Sequence, residues 1–127
     1  MQKTDSVTAS IGEGVYQIEA ELKRFGNDIL VSVWGGTKPH IGSVAVATPR
    51  QSLKDQAKIS ATASVITISG HKDDVVAKLF AEKIAAVCNG TSIVTAGIHI
   101  DNASKRDIET IVKNCETLCN RLLKKLE

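Results

Sequence analysis

The chain has 127 residues, 43% of them hydrophobic, enough for one ordinary core built from a sheet covered on one side by helices. Sixteen basic and fourteen acidic residues interleave to a formal charge of +2, so no stripe tracks a phosphate backbone and nucleic acid is not an expected partner. Aromatic residues make up 3% and stand apart as Tyr16, Phe25, Trp34 and Phe80, which removes the stacking platforms of single-strand binders.

Residues 1–14 read as a polar, flexible lead, and residues 15–127 as a single ligand-binding domain. The lead carries no apolar signal core, and no run of about 18 apolar residues occurs, so membrane insertion and export are not expected and the cytoplasm is. Tyr16, Ile18, Ala20 and Leu22 alternate with Gln17, Glu19, Glu21 and Lys23, the period of a half-buried strand. Gly26-Asn27-Asp28 supplies a turn into a second strand, Ile29 to Trp34, which makes the opening a hairpin. A glycine-rich loop holding the rigid Pro39 follows, then a third strand from Ile41 to Thr48. A polar excursion from Pro49 to Lys58 precedes a fourth strand, Ile59 to Ile68.

The period then becomes helical, with Val76, Phe80, Ile84 and Val87 on one face between Asp73 and Cys88, and Asn89-Gly90 stops the run. Ser92 to Ile100 reads as a fifth strand. Ser104 with Asp107 begins a last helix in capping-box fashion, and Ile108, Ile111, Cys115, Leu118, Leu122 and Leu126 form its apolar stripe. The order ββββαβα predicts an α+β fold of two layers, a mostly antiparallel sheet with both helices on one face. Cys115 and Cys119 read as small apolar core residues and Cys88 as the end of an apolar run. This odd set suggests neither a disulfide framework nor a cysteine zinc site, and fits a reducing compartment.

Several strands oppose bulky and small side chains. Val44 and Val46 alternate with Ser43, Ala45 and Ala47; Val94, Ala96, Ile98 and Ile100 alternate with Thr95, Gly97 and His99; and Ala61 and Ala63 add small positions. A small-residue face leaves room for a second sheet across a dimer axis or for a flat ligand, and the bland alternative is a mildly polar solvated face. Trp34 reads first as a core residue, with stacking on a ring as its alternative.

All three histidines sit in turn-forming surroundings: His40 within Gly35 to Gly42, His71 within Ser69 to Asp74, and His99 just before Asp101-Asn102. Each can exchange hydrogen bonds, titrate or ligate a metal, although a loop-stabilising histidine is the ordinary reading of any one alone. Ser69-Gly70-His71-Lys72 enters a helix whose free N–H groups can receive a phosphate. Asp73 and Asp74 oppose this, and Lys38, Arg50, Lys54 and Lys72 are the nearby bases. A metal held by these histidines with Asp73, Asp74 or Asp101 is chemically feasible but matches no fixed spacing, so the metal stays unknown. No nucleophile elbow, P-loop or dinucleotide fingerprint is present, and no catalytic residue is assigned.

Taken in order, Gly35-Gly36-x-x-Pro39-His40-Ile41-Gly42-Ser43-Val44, His71-Lys72-Asp73-Asp74 and Val94-Thr95-Ala96-Gly97-Ile98-His99-Ile100 resemble the small accessory protein of gallate decarboxylase, a prenylated-flavin chaperone domain. The resemblance spans roughly Asn27 to Ile108. It implies a non-catalytic homodimer that binds reduced prenylated flavin mononucleotide (FMN), with ordinary FMN a second candidate. Such a carrier shields the cofactor from oxygen and passes it to a prenylated-flavin-dependent decarboxylase. Carried over by position, Gly36, Pro39, His40, Ile41 and Gly42, then His71, Lys72 and Asp73, then Gly97, His99 and Asp101 would line the site. The segment Ala45 to Thr67 departs from the pattern, which leaves the client enzyme open. The rivals are a small enzyme acting on a phosphorylated metabolite through a histidine, and a purely structural accessory subunit.

Overall fold

The structure is a computed structural model that describes residues 6–68 and 72–126. Its elements are β1 (Ser6–Ile11), a 3-10 turn (Gly14–Tyr16), β2 (Ile18–Phe25), β3 (Asp28–Gly36), β4 (Ser43–Gln51), β5 (Ile59–Thr67), α1 (Asp73–Cys88), β6 (Ser92–His99) and α2 (Lys105–Lys125). The six strands form one sheet in the order β1-β2-β3-β6-β4-β5. Every pairing is antiparallel except β3 with β6, which run side by side from Ile29↔Ser92 to Gly36↔His99. Both helices cover the same face, α2 over β1 and β2, and α1 over β4, β5 and β6. The two-layer α+β architecture is therefore the one expected.

The segment read as a flexible lead carries a strand over Ser6–Ile11. Val7, Ala9 and Ile11 do alternate with Ser6, Thr8 and Ser10, and the strand runs antiparallel to β2 from Ser6↔Lys23 to Ile11↔Ile18. Its low hydrophobicity hid it. Conversely, the second strand of the chain begins at Ile18, because Val15 and Tyr16 are spent in the 3-10 turn. The excursion from Pro49 is shorter than expected, since Pro49, Arg50 and Gln51 extend β4 opposite Ala61, Ser60 and Ile59. Ile68 donates its N–H to the Gly42 carbonyl, so even-numbered residues of β5 bond β4 and odd-numbered β4 residues turn away from it. Pro49 thus points its missing donor past the end of β6, whose pairing with β4 stops at Ala47.

The small-residue face on β4 and β5 is not open. Ser43, Ala45, Ala47 and Ala61 are buried beneath α1, while Val46 is 39% exposed on the opposite face. The reason lies on the helix: Ala77, Ala81 and Ala85 recur every four residues and are fully buried, so α1 lies close to the sheet and leaves no volume for valine beneath it. Buried Ser92 fixes this approach by donating from Oγ to the Ala81 carbonyl at 2.6 Å. The core continues through Phe80, Ile84, Val31, Val33 and Val94 to Ile18, Leu22, Leu118 and Leu122 under α2. Trp34, expected in this core, is half-buried on the opposite sheet face, across from Glu19 and Gly97.

Candidate functional site

The parallel strands β3 and β6 end together, and the chain leaving β3 folds back over the end of β6. Gly36 makes this turn with φ +81°, where a side chain would meet the His99 backbone. Thr37 N–H then donates to the His99 carbonyl at 2.7 Å, and Gly42 N–H to the Ala96 carbonyl at 2.8 Å. Between them the His40 carbonyl lies where a Cβ on Gly97 would stand, so Gly97 is required for the crossing. The loop is thereby fixed at both ends, while Pro39 and Ile41 face outward, Ile41 being 57% exposed.

The first helical residue of α1 ties this loop to the helix layer. Asp73 is buried, and its Oδ1 accepts from the N–H of Ile98 at 3.0 Å, the strand amide left unpaired because regular β4 begins only at Ser43. Its Oδ2 lies 3.1 Å from His40 Nε2. The ring N–H is not aligned for a hydrogen bond, so Oδ2 is a buried oxygen without a hydrogen-bond partner. Since His40 Nδ1 sits 2.9 Å from the Lys38 carbonyl and must donate to it, the Asp73 contact is attractive when the ring carries both protons. Asp73 is thus a clamp between helix, strand and loop.

A second polar group stands at the strand end. His99 Nε2 is 3.1 Å from Asp101 Oδ1, and Lys38 Nζ is 3.8 Å from the same oxygen. Thr37 Oγ1 donates to the His99 carbonyl and accepts from Asp101 N–H, which holds the group against the loop.

Between these groups and the N-terminal end of α2 opens a cavity of about 270 Å³. Lys72, Asp73, His99 and Asn102 are its polar lining, and Val76, Ile98, Ile100, Ile108, Ile111 and Val112 its apolar walls. Ser104 supports the α2 side: its hydroxyl accepts from Asp107 N–H, and the Asp107 carboxylate accepts from Ser104 N–H at 2.9 Å. Those bonds, led by the Ser104 backbone N–H, hold the Asp107 carboxyl below its ordinary range.

The fold therefore gathers Gly36, Pro39, His40, Ile41, Gly42, Lys72, Asp73, Gly97, His99 and Asp101 at one end of the sheet. His71, with Ser69 and Gly70, lies outside the described residues. Of the expected phosphate seat, exposed Lys72 remains available, whereas Asp73 is turned inward to Ile98. Arg50 lies apart on β4, bonded to Thr62 and to the Gln51 carbonyl, and Lys54 lies in the following loop. The apolar walls escaped sequence reasoning because Ile108 and Ile111 fall on the same stripe as the core residues Leu118 and Leu122. Only their position one turn beyond the capping box separates them. Cys115 and Cys119 are core residues, as expected, and burial pushes both thiols up to about 12. Burial also raises Cys88, with Arg24 opposing it. Among the described residues, no three His, Cys, Asp or Glu side chains gather as a metal set, and no helix is long and apolar enough to cross a membrane.

This architecture recurs in a chain of the "Crystal Structure of a Novel Chaperone Complex for Yeast 20S Proteasome Assembly", with a TM-score of 0.62 over 95% of each chain. Identity there is 15%, so the likeness is one of fold. In sequence, the chain is 30% identical over 114 residues to Protein LpdD of Lactiplantibacillus plantarum, covering 88% of this chain and 79% of that one. The family model described as the prenylated flavin chaperone LpdD-like domain matches residues 12–127. By that match, the chain belongs to a family of prenylated flavin chaperones rather than catalysts.

Proposed function

We propose that the protein binds reduced prenylated FMN at the sheet end, protects it from oxygen and hands it to a prenylated-flavin-dependent decarboxylase. We also propose that it works in the cytoplasm as a homodimer. The observation that carries the ligand assignment is the cavity between the two helix starts, apolar on its walls and polar at its lip. At about 270 Å³ it is slightly smaller than the ~300–1,000 Å³ typical of pockets enclosing a whole drug-sized ligand, so it seats one part of a flavin and leaves the rest outside. The part suited to walls of valine and isoleucine is the prenyl-derived ring. The phosphate end then lies outward, where Lys72 and Lys38 supply positive charge.

Holding the cofactor by its apolar addition explains how a carrier distinguishes prenylated FMN from ordinary FMN. It also places the modified ring away from solvent while leaving the phosphate accessible to a recipient enzyme. The test is the rate at which air oxidises reduced prenylated FMN, followed by absorbance with protein in excess. Protection that is lost when Ile111 is replaced by Asp supports the proposal. Oxidation as fast as in buffer overturns it.

A further inference from the structure

We infer that the chain holds a second ligand site, for a single nucleotide, in the groove where the open sheet face meets the C-terminal turns of α2. The inference is independent of the proposed sheet-end site, with which the groove shares no lining residue. The groove measures about 730 Å³, within the ~300–1,000 Å³ of small-molecule sites. Trp34, Glu19 and Glu21 line it from the sheet, and Arg121, Lys124 and Lys125 from the helix. Strand register sets these groups in a line. Ser10, Glu19 and Trp34 are direct partners across β1, β2 and β3, and Thr8, Glu21 and Ser32 form the next row on the same face. Arg121 extends the first row past the edge by donating to the Ser10 carbonyl at 2.7 Å, and Lys125 extends the second by donating to the Thr8 carbonyl.

From the edge inward the groove therefore offers cations, then hydroxyls and carboxylates, then an indole face about 10 Å from β1 at the level of the backbone. A nucleotide presents the complementary groups in the same order. Its phosphate meets the cations, its sugar hydroxyls donate to Glu19 or Glu21, and its planar base stacks on the indole. Part of this arrangement has a role without a ligand. Arg121 and Lys125 cover the carbonyls of an edge strand, and Lys124 and Lys125 stand at the negative end of the helix dipole. Neither role requires the chain's one tryptophan to lie half-buried on an open face beside them. Nor is their charge neutralised in place: among the described residues none of the three cations is paired with a carboxylate, although Glu19 and Glu21 line the same groove. One indole suits one nucleotide, because a strand needs successive stacking platforms.

Because Trp34 is the only tryptophan, its emission reports on this groove. The test is a titration of the full chain with adenosine monophosphate, followed by tryptophan emission and by heat, with adenosine and inorganic phosphate run beside it. The expected result is saturable quenching by the nucleotide, with adenosine at least tenfold weaker and phosphate competing without quenching. Replacing the exposed pair Arg121→Gln and Lys124→Gln should weaken the nucleotide at least tenfold and leave adenosine unchanged. Ile111→Asp, in the sheet-end cavity, should leave nucleotide affinity as it is. Heat of binding without a change in emission, or binding lost through Ile111→Asp, would place the nucleotide elsewhere and overturn the proposal. Absence of binding, or equal affinity for nucleotide and nucleoside, would overturn it as well.

Discussion

Asp73 shows how one side chain can serve fold and site together. Its Oδ1 accepts from a strand amide, its Oδ2 lies beside a loop histidine without a hydrogen bond, and it is 3% exposed, so removing the histidine takes the one nearby ring nitrogen away from a buried oxygen. His40→Ala should destabilise the protein by about 1–3 kcal/mol, measured by urea unfolding. Asp73→Asn keeps an acceptor for Ile98 while discarding the charge, and the His40 substitution should cost much less in that background. Additive effects would show that the two residues are not coupled. Lys72, exposed at the rim, should behave oppositely: Lys72→Ala lowers ligand affinity by about 1–3 kcal/mol and leaves the unfolding curve in place. A stability loss with unchanged affinity would remove Lys72 from the site.

At the scale of elements, three junctions position the cavity. Gly97 admits the loop, the Ala77–Ala81–Ala85 ridge seats α1, and the Ser104–Asp107 box starts α2. Gly97→Ala should push the His40 carbonyl away and weaken ligand binding, read by titration, and Ala81→Leu should overpack the α1 contact at about 1–3 kcal/mol. Ser104→Ala removes a helix cap worth about 1 kcal/mol. Asp107 gives this box a pH dependence. Its carboxyl is held low by the Ser104 backbone N–H, so its contribution is present above the unfolded carboxyl's range and is lost as pH falls through the folded value. Asp107→Asn should accordingly flatten the acid limb of thermal stability against pH.

These junctions were unevenly legible. The capping box and the helix from Asp73 to Cys88 were readable because local chemistry determines them. The orientation of β4 was not, because valines at Val44 and Val46 look more core-like than Ser43, Ala45 and Ala47. Only the alanine ridge of a helix far along the chain decides the matter. The glycine and histidine strings marked the loop and strand end, whereas the apolar walls on α2 looked like any core stripe.

For the molecule as a whole, the sheet divides its tasks. One face holds the core and one end holds the proposed site. The other face carries Leu30, Ile93 and Val46 side by side across β3, β6 and β4, each about two-fifths exposed, with the more exposed Ile66 beside Val44 on the same face. The proposed carrier would have to bind its cofactor firmly enough to exclude oxygen and still release it, which suits a small apolar chamber with a charged, accessible lip better than a fully enclosing pocket. The central claim is selectivity for the prenylated ring. It is tested most directly by an anaerobic titration of the full chain with reduced prenylated FMN, run beside ordinary reduced FMN and followed by heat and absorbance. The account predicts saturable binding of the prenylated form, at least tenfold tighter than the ordinary one and weakened by Ile111→Asp. Equal affinity for both, or binding of neither, would contradict it.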